Sequence, residues 1–123
     1  MNSERRKYPR VSLQGEANIF LAGILRNGTL MNLSPSGIQL ECRHQLIEQL
    51  ATFKSEAGLF PNFELEFTLP TEGRSKKTIK SICNVSYCRR QCRDSYHLGL
   101  NFITLDEIDE KQVDEYIHHS VAA

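Results

Sequence analysis

Apolar and polar residues alternate along most of the chain, a pattern typical of strands that bury one face. The clearest case is residues 63–69, in which Phe63, Leu65, Phe67 and Leu69 point one way before Pro70 closes the segment. Strands are predicted at 16–25, 29–33, 38–42, 63–69, 78–87 and 96–103. Six short strands separated by turns favour a small antiparallel barrel over a parallel sheet.

Local signals predict how these strands connect and where the pattern breaks. Asn27-Gly28 predicts a hairpin turn between the first two strands, because this dipeptide suits a type I′ turn. The helical spacing in 44–57 predicts an inserted short helix that stops near Gly58 and whose face carries Leu46, Ile47, Leu50 and Phe53. A sparse helical stripe predicts a C-terminal helix over 104–119, with Thr104 as its N-cap.

Length and charge narrow the class of protein. A chain of 123 residues fits one domain, which we expect to comprise a flexible arm (1–12), a barrel (13–103) and the C-terminal helix. Fifteen basic and fifteen acidic residues give no net charge, which argues against a general nucleic-acid binder. Positive charge is concentrated in 1–10 and negative charge in 106–115, so a local positive potential is expected. We expect a cytoplasmic protein without membrane insertion, since no apolar run approaches about 18 residues.

Enzyme and metal signatures are weak. There is no P-loop, and no spacing places a nucleophile beside a base, so we expect no catalysis. The four cysteines form no Cys-x-x-Cys pair, and we expect no metal site. Cys42 and Cys83 are expected to be buried as small apolar residues.

Two short motifs carry polar chemistry. Arg6 and Arg10 flank Tyr8-Pro9, and the proline favours an extended segment in which the two guanidinium groups point the same way. Their planar forks suit phosphate or a guanine edge. Asn32-x-Ser34-x-x-Gly37 places donors and acceptors where a strand meets a turn. Taken singly, the first motif is also compatible with a solvated tail and the second with a plain tight turn.

Together, the two motifs and the all-β pattern resemble the PilZ domain family. Tyr8 matches the aromatic residue common in the first motif, and Leu98-Gly99-Leu100-Asn101-Phe102 resembles the family's last strand. The resemblance runs from about Arg5 to Phe102, and the acidic C-terminal segment resembles the family's helix. It implies a six-stranded antiparallel PilZ-type β-barrel with a C-terminal α-helix, to which this chain adds the inserted short helix.

The resemblance also implies a function and a set of site residues. It implies a bacterial receptor whose ligand is cyclic di-GMP and which uses no cofactor. The arm would fold over the ligand, change conformation on binding and signal to an unidentified downstream protein. Arg5 occupies a position that in this family goes with binding two ligand molecules. The implied ligand-binding residues are Arg5, Arg6, Arg10, Asn32, Ser34, Ser36 and Gly37, with Tyr87 and Arg89 as further residues on the same face.

Two other classes of protein stay open at this point. The first is a ligand-independent PilZ-like interaction module in pilus assembly or motility. The second is an OB-type binder of single-stranded nucleic acid, which needs exposed aromatic platforms. The chain has no Trp, and its Phe residues occupy apolar alternating positions, so no nucleic-acid partner is expected.

Overall fold

Antiparallel strands and two helices make up the described part of the chain. The computed structural model describes residues 10–70 and 76–122. The strands are β1 Val11–Ser12, β2 Glu16–Leu21, β3 Ile24–Ser34, β4 Gly37–Cys42, β5 Phe63–Pro70, β6 Lys76–Cys92 and β7 Ser95–Leu105. The helices are α1 His44–Thr52 and α2 Glu107–Ala122.

Six of these strands close into a barrel. They are hydrogen-bonded in the order β3–β2–β5–β6–β7–β4, and β4 then pairs with β3 to complete the ring. Closure leaves each of the six strands with a partner on both sides, which removes the exposed edges that an open sheet presents. The short strand β1 lies outside the ring and pairs with the C-terminal half of β3. The predicted six-stranded antiparallel barrel is confirmed.

The alternating apolar residues point into the barrel as predicted. Ile19 in β2, Phe67 in β5, Ile79 in β6 and Leu98 in β7 are almost fully buried. The inner face of each strand thus supplies one wall of a continuous core, and burial of such side chains is the main favourable term in folding. Helix α2 adds Val113 and Ile117 to the same core.

The predicted hairpin turn at Asn27-Gly28 is wrong. Both residues lie within β3, where Asn27 pairs with Asn18 and Gly28 pairs with Ala17 of β2. The chain reverses instead at Ala22-Gly23, whose φ angles of 53° and 77° are both left-handed. Such angles suit a two-residue hairpin turn, although alanine adopts them at a cost of about 1 kcal/mol. The displaced turn makes β3 eleven residues long, enough to pair with β2 and β4.

The inserted helix is shorter than predicted. Helix α1 ends at Thr52, and Phe53 is 44% exposed, so this residue does not continue the buried face formed by Leu46 and Leu50. The buried side chain of Gln49 donates a hydrogen bond to the Leu21 carbonyl, with an N–O distance of 3.1 Å. Gln49 also accepts one from Arg26 Nε at 2.9 Å, so its amide joins α1 to the β2–β3 hairpin.

The C-terminal helix begins later than predicted. Thr104 belongs to β7, and Asp106 caps the helix by accepting a hydrogen bond from the Asp109 amide at 2.9 Å. The Asp109 carboxylate in turn accepts a hydrogen bond from the Lys80 backbone amide at 3.2 Å. The first turn of α2 is thereby attached to β6. The acidic side chains in this turn interact favourably with the positive end of the helix dipole.

Candidate functional site

A small polar recess lies where the β3–β4 turn meets the start of β1 and the central parts of β6 and β7. Its volume is about 90 Å³. It gathers the described residues of both sequence motifs, although these are far apart in the chain. The recess is lined by Arg10, Asn32, Ser34, Ser36, Gly37, Ile38, Gln39, Ser86, Tyr87, Gly99, Leu100 and Asn101.

The β3–β4 turn supplies two hydroxyl groups. Ser34 pairs with Gly37 across the antiparallel ladder, so the turn contains only Pro35 and Ser36. The Ser34 hydroxyl lies 3.4 Å from the Ser36 hydroxyl and donates to the Gly37 carbonyl over the same distance. These contacts are long for hydroxyl hydrogen bonds, whose usual length is about 2.7–2.8 Å. Both hydroxyls are therefore held weakly and can exchange these contacts for better ones to a ligand.

Gly37 is required by the packing of two strands. It pairs with Asn101 of β7, and a Cβ added to it would overlap the Leu100 carbonyl oxygen. Gly37 is not among the described residues with a positive φ angle. The Phe102 amide donates to the Ser36 carbonyl at 2.9 Å and attaches the turn to β7. The glycine lets β4 approach β7 closely at the edge of the recess.

The Asn32 side chain is oriented by a residue that the sequence analysis did not identify. Asn32 and Gln39 are cross-strand partners in β3 and β4, and the Asn32 amide donates a hydrogen bond to Gln39 Oε1. The alternation of Ile38, Gln39 and Leu40 was the available signal, because it places Gln39 on the outer face beside Asn32. A bulge in β3 between Leu30 and Asn32 shifts the register at this point.

Arg10 reaches the recess through the register of β1. Val11 pairs with Leu33 and Ser12 pairs with Asn32, so continuation of the ladder brings Arg10 opposite Ser34. Its side chain is exposed. Among the described residues that line the recess, Arg10 alone carries a charge, so the recess attracts anions. Arg5 and Arg6, also predicted for the site, lie outside the described residues.

Tyr87 forms the opposite wall of the recess. A bulge in β6 between Val85 and Tyr87 brings Tyr87 into register with Gly99, and the tyrosine ring lies against the glycine where a Cβ would overlap it. The Arg89 guanidinium lies over the same ring, 4.9 Å from its centroid. Of the two further residues expected on this face, Tyr87 lines the recess, and Arg89 contacts Tyr87 from outside it.

None of the four cysteines lines this recess. Cys42 and Cys83 are buried, as expected from the sequence. Burial raises the pKa of the Cys42 thiol to about 12 and that of Cys83 to about 11. Within residues 10–70 and 76–122, no three His, Cys, Asp or Glu side chains converge as a metal site would require. Neither of the two described helices is long and apolar enough to cross a membrane.

Comparison with protein families matches nearly the whole chain to one family. Residues 4–119 match the PilZ domain. The chain therefore belongs to the PilZ domain family. A search of curated proteins gave no sequence match.

Solved structures of low sequence identity share the fold. The inhibitor of motility MotI/DgrA from Bacillus subtilis superimposes with a TM-score of 0.72 at 18% identity, covering 96% of this chain and 52% of that one. The PilZ domain of YcgR from Escherichia coli, with c-di-GMP, gives 0.58 at 15% identity, covering 96% and 92%. The MrkH–c-di-GMP complex of K. pneumonia gives 0.59 at 17% identity, covering 96% and 53%. The chain therefore spans about half the length of MotI and MrkH.

Proposed function

We propose that this PilZ domain is a receptor that binds cyclic di-GMP at the recess and transmits the signal by protein contact. The observation that carries the proposal is that Arg10 and the β3–β4 turn line the same recess. Two motifs separated by more than twenty residues supply one cation and several hydrogen-bonding groups to a single position. A diester with two phosphates and two guanine edges requires that combination of groups.

The size of the recess indicates how the ligand would be held. Its volume of about 90 Å³ is well below the roughly 300–1,000 Å³ of a pocket that encloses a drug-sized ligand. The described residues therefore suit one edge of a dinucleotide, and the remainder of the ligand needs a second set of contacts. In this proposal, Arg5 and Arg6 supply those contacts from the N-terminal arm.

Each described residue takes a part that follows from its chemistry. Arg10 would bind phosphate or a guanine edge through its planar guanidinium. Asn32 and Ser34 would bind the polar edge of a base, and Ser36 would add a further hydroxyl. Tyr87 would form the wall of the recess that the ligand contacts. Gly37 contributes indirectly, by holding the turn against β7.

The structural neighbours support the same ligand class. YcgR and MrkH are described as complexes with c-di-GMP, and MotI is described as an inhibitor of motility. At 15–18% identity these likenesses establish only the fold. The proposal that the ligand is cyclic di-GMP therefore depends on the residues of the recess. A cytoplasmic receptor that changes conformation when its arm closes and then contacts a downstream protein fits both observations.

Titration calorimetry with cyclic di-GMP tests the proposal. Arg10→Ala is expected to weaken binding about tenfold to a hundredfold, because a charge-assisted hydrogen bond contributes about 1.5–3 kcal/mol. Arg93→Ala is the matched control: it removes an exposed arginine that does not line the recess, and it should bind within about twofold of the wild type. Stoichiometry measured with Arg5→Ala tests whether this residue sets the number of ligand molecules.

Absence of heat at micromolar cyclic di-GMP with the folded wild type would refute the receptor proposal. The chain would then be a ligand-independent interaction module in pilus assembly or motility, the alternative left by the sequence. Equal weakening by Arg10→Ala and Arg93→Ala would also refute it, because binding would then depend on overall charge instead of the recess.

A further inference from the structure

A second and larger concavity lies on the outer face of the barrel. Its volume is about 770 Å³, and it crosses β2, β5, β6 and β7. Phe20 pairs with Glu64, Glu64 with Ile82, and Ile82 with Thr104, so these side chains form one row across four neighbouring strands. We call this concavity the outer groove. None of its lining residues belongs to the recess described above.

The outer groove exposes apolar side chains at outward-facing positions of the barrel strands. Phe20 is 38% exposed and Ile103 is 48% exposed, with Ile82 half-buried between them. Leu25, the cross-strand partner of Phe20, extends the apolar surface beyond the rim and is 51% exposed. Scattered exposed apolar residues are ordinary, but residues gathered in one groove with a polar rim mark an interaction surface.

The rim of the outer groove is acidic. Glu64, Glu66 and Asp106 line it, and Lys80 is the one basic residue among its described lining. Lys80 already pairs with Glu66, with an N–O distance of 3.6 Å. Three carboxylates against one ammonium leave a charge of −2 around an apolar floor. A complementary partner therefore carries apolar side chains flanked by lysine or arginine.

The hydrogen bonding of the barrel decides which conformation such a partner adopts. Each of β2, β5, β6 and β7 has a strand partner on both sides. The backbone groups beneath the groove are thus already used, which excludes the addition of a further strand there. A Pro-rich extended segment needs an aromatic-lined groove, and Phe20 is the one aromatic residue in the described lining. A helix laid into the groove with its apolar side inward is therefore the mode that fits. The row crosses three inter-strand spacings, about 15 Å, so about ten helical residues cover it.

We propose that the outer groove is the docking site for a basic amphipathic helix of a partner protein. Phe20, Ile82 and Ile103 receive the apolar side of this helix, and Glu64, Glu66 and Asp106 face its cationic flanks. The site is separate from the recess and does not depend on cyclic di-GMP binding there.

Synthetic peptides provide the test without knowledge of the natural partner. The probe is a 14-residue helical peptide of leucine and lysine, with leucines at i, i+3, i+4 and i+7. One control peptide carries glutamate in place of lysine, and another has the same composition with the apolar stripe scrambled. Binding is measured by fluorescence anisotropy without nucleotide, and the contacted residues are mapped by amide chemical shifts.

Matched variants locate the binding surface. Ile103→Ser and Glu64→Lys change exposed groove residues and should each weaken binding of the lysine peptide at least about tenfold. Leu59→Ser and Glu56→Lys make the same changes at exposed positions outside the groove, and they should bind within about twofold of the wild type. Circular dichroism confirms that all four variants are folded.

Three results would overturn the proposal. The first is equal binding of the glutamate or scrambled peptide. The second is that Glu115→Lys, on the acidic face of α2, abolishes peptide binding whereas Glu64→Lys leaves it unchanged. The third is a dimer in light scattering that Ile103→Ser dissociates, since the occupant would then be a second copy of the chain. Unchanged cyclic di-GMP binding by Ile103→Ser is expected, so this test and the receptor test succeed or fail separately.

Discussion

Replacing Gly37 by alanine tests whether strand packing or ligand contact requires the glycine of the second motif. A methyl group at this position would overlap the Leu100 carbonyl oxygen and approach the Asn101 Cα. These are backbone atoms, which cannot rotate away as a side chain does. The strands β4 and β7 must therefore separate where Gly37 pairs with Asn101, even in the absence of ligand.

The magnitude follows from what the separation costs. Overpacking of a tight site costs about 1–3 kcal/mol. The hydrogen bond from the Phe102 amide to the Ser36 carbonyl, 2.9 Å long, contributes about 1 kcal/mol and would be weakened or lost. Together these effects predict that the free energy of unfolding falls by about 2–4 kcal/mol. For a domain of this size, that loss lowers Tm by roughly 8–16 °C.

Urea denaturation followed by far-UV circular dichroism suits the measurement, since the chain has no Trp. Gly28→Ala is the matched control, because Gly28 is also buried in a strand but its Cβ would meet its nearest neighbours at an ordinary 3.4 Å. The control should change stability by no more than about 1 kcal/mol. Equal midpoints for the two variants would refute the packing argument.

Three further changes probe the site, the hairpin and the thiols. Gly99→Ala should push the Tyr87 ring aside and weaken cyclic di-GMP binding several-fold in calorimetry, with a smaller loss of stability than at Gly37, because a side chain can move. Ala22→Asn should raise stability by about 0.5–1 kcal/mol in a urea titration, since asparagine tolerates the left-handed φ of 53° better than alanine; a loss of stability would contradict the assigned turn. Exposed Cys92 should react first with a thiol reagent at pH 8, whereas buried Cys42 should react only on unfolding. Because burial raises the pKa of Cys42 from 9.0 to about 12, its contribution to stability is complete below pH 9 and is lost as the pH rises toward 12; a stability that is flat or rises over this range would contradict that burial.

The recess shows how far short motifs can predict which polar side chains the fold brings together. Asn32, Ser34 and Gly37 were identifiable because turn-forming and hydrogen-bonding residues cluster within six positions of the sequence. Gln39 and Asn101 were not identified, although both line the recess. Each is a single polar residue between apolar ones in a strand, and this alternation shows only that its side chain faces outward. Its place in the recess depends on which strands are neighbours.

The sequence by itself determined the barrel class and the approximate positions of its six strands. Alternation with period two specifies which side chains face inward, and that pattern survives in β5 and β7, where the apolar residues fill the core. Helix-period spacing likewise placed α1 and α2 in the right parts of the chain. These are properties of consecutive residues, so no distant contact is needed to recognise them.

Only the tertiary structure decided where the chain turns and why the glycine of the second motif is needed. Locally, Asn27-Gly28 is a better hairpin turn than Ala22-Gly23, yet the chain reverses at the latter. The physical reason is that β3 has to pair with β2 along one part and with β4 along another, and the additional ladder and core contacts exceed the roughly 1 kcal/mol cost of a left-handed alanine. In the same way, Gly37 is fixed by the approach of β7, a strand about sixty residues further along the chain.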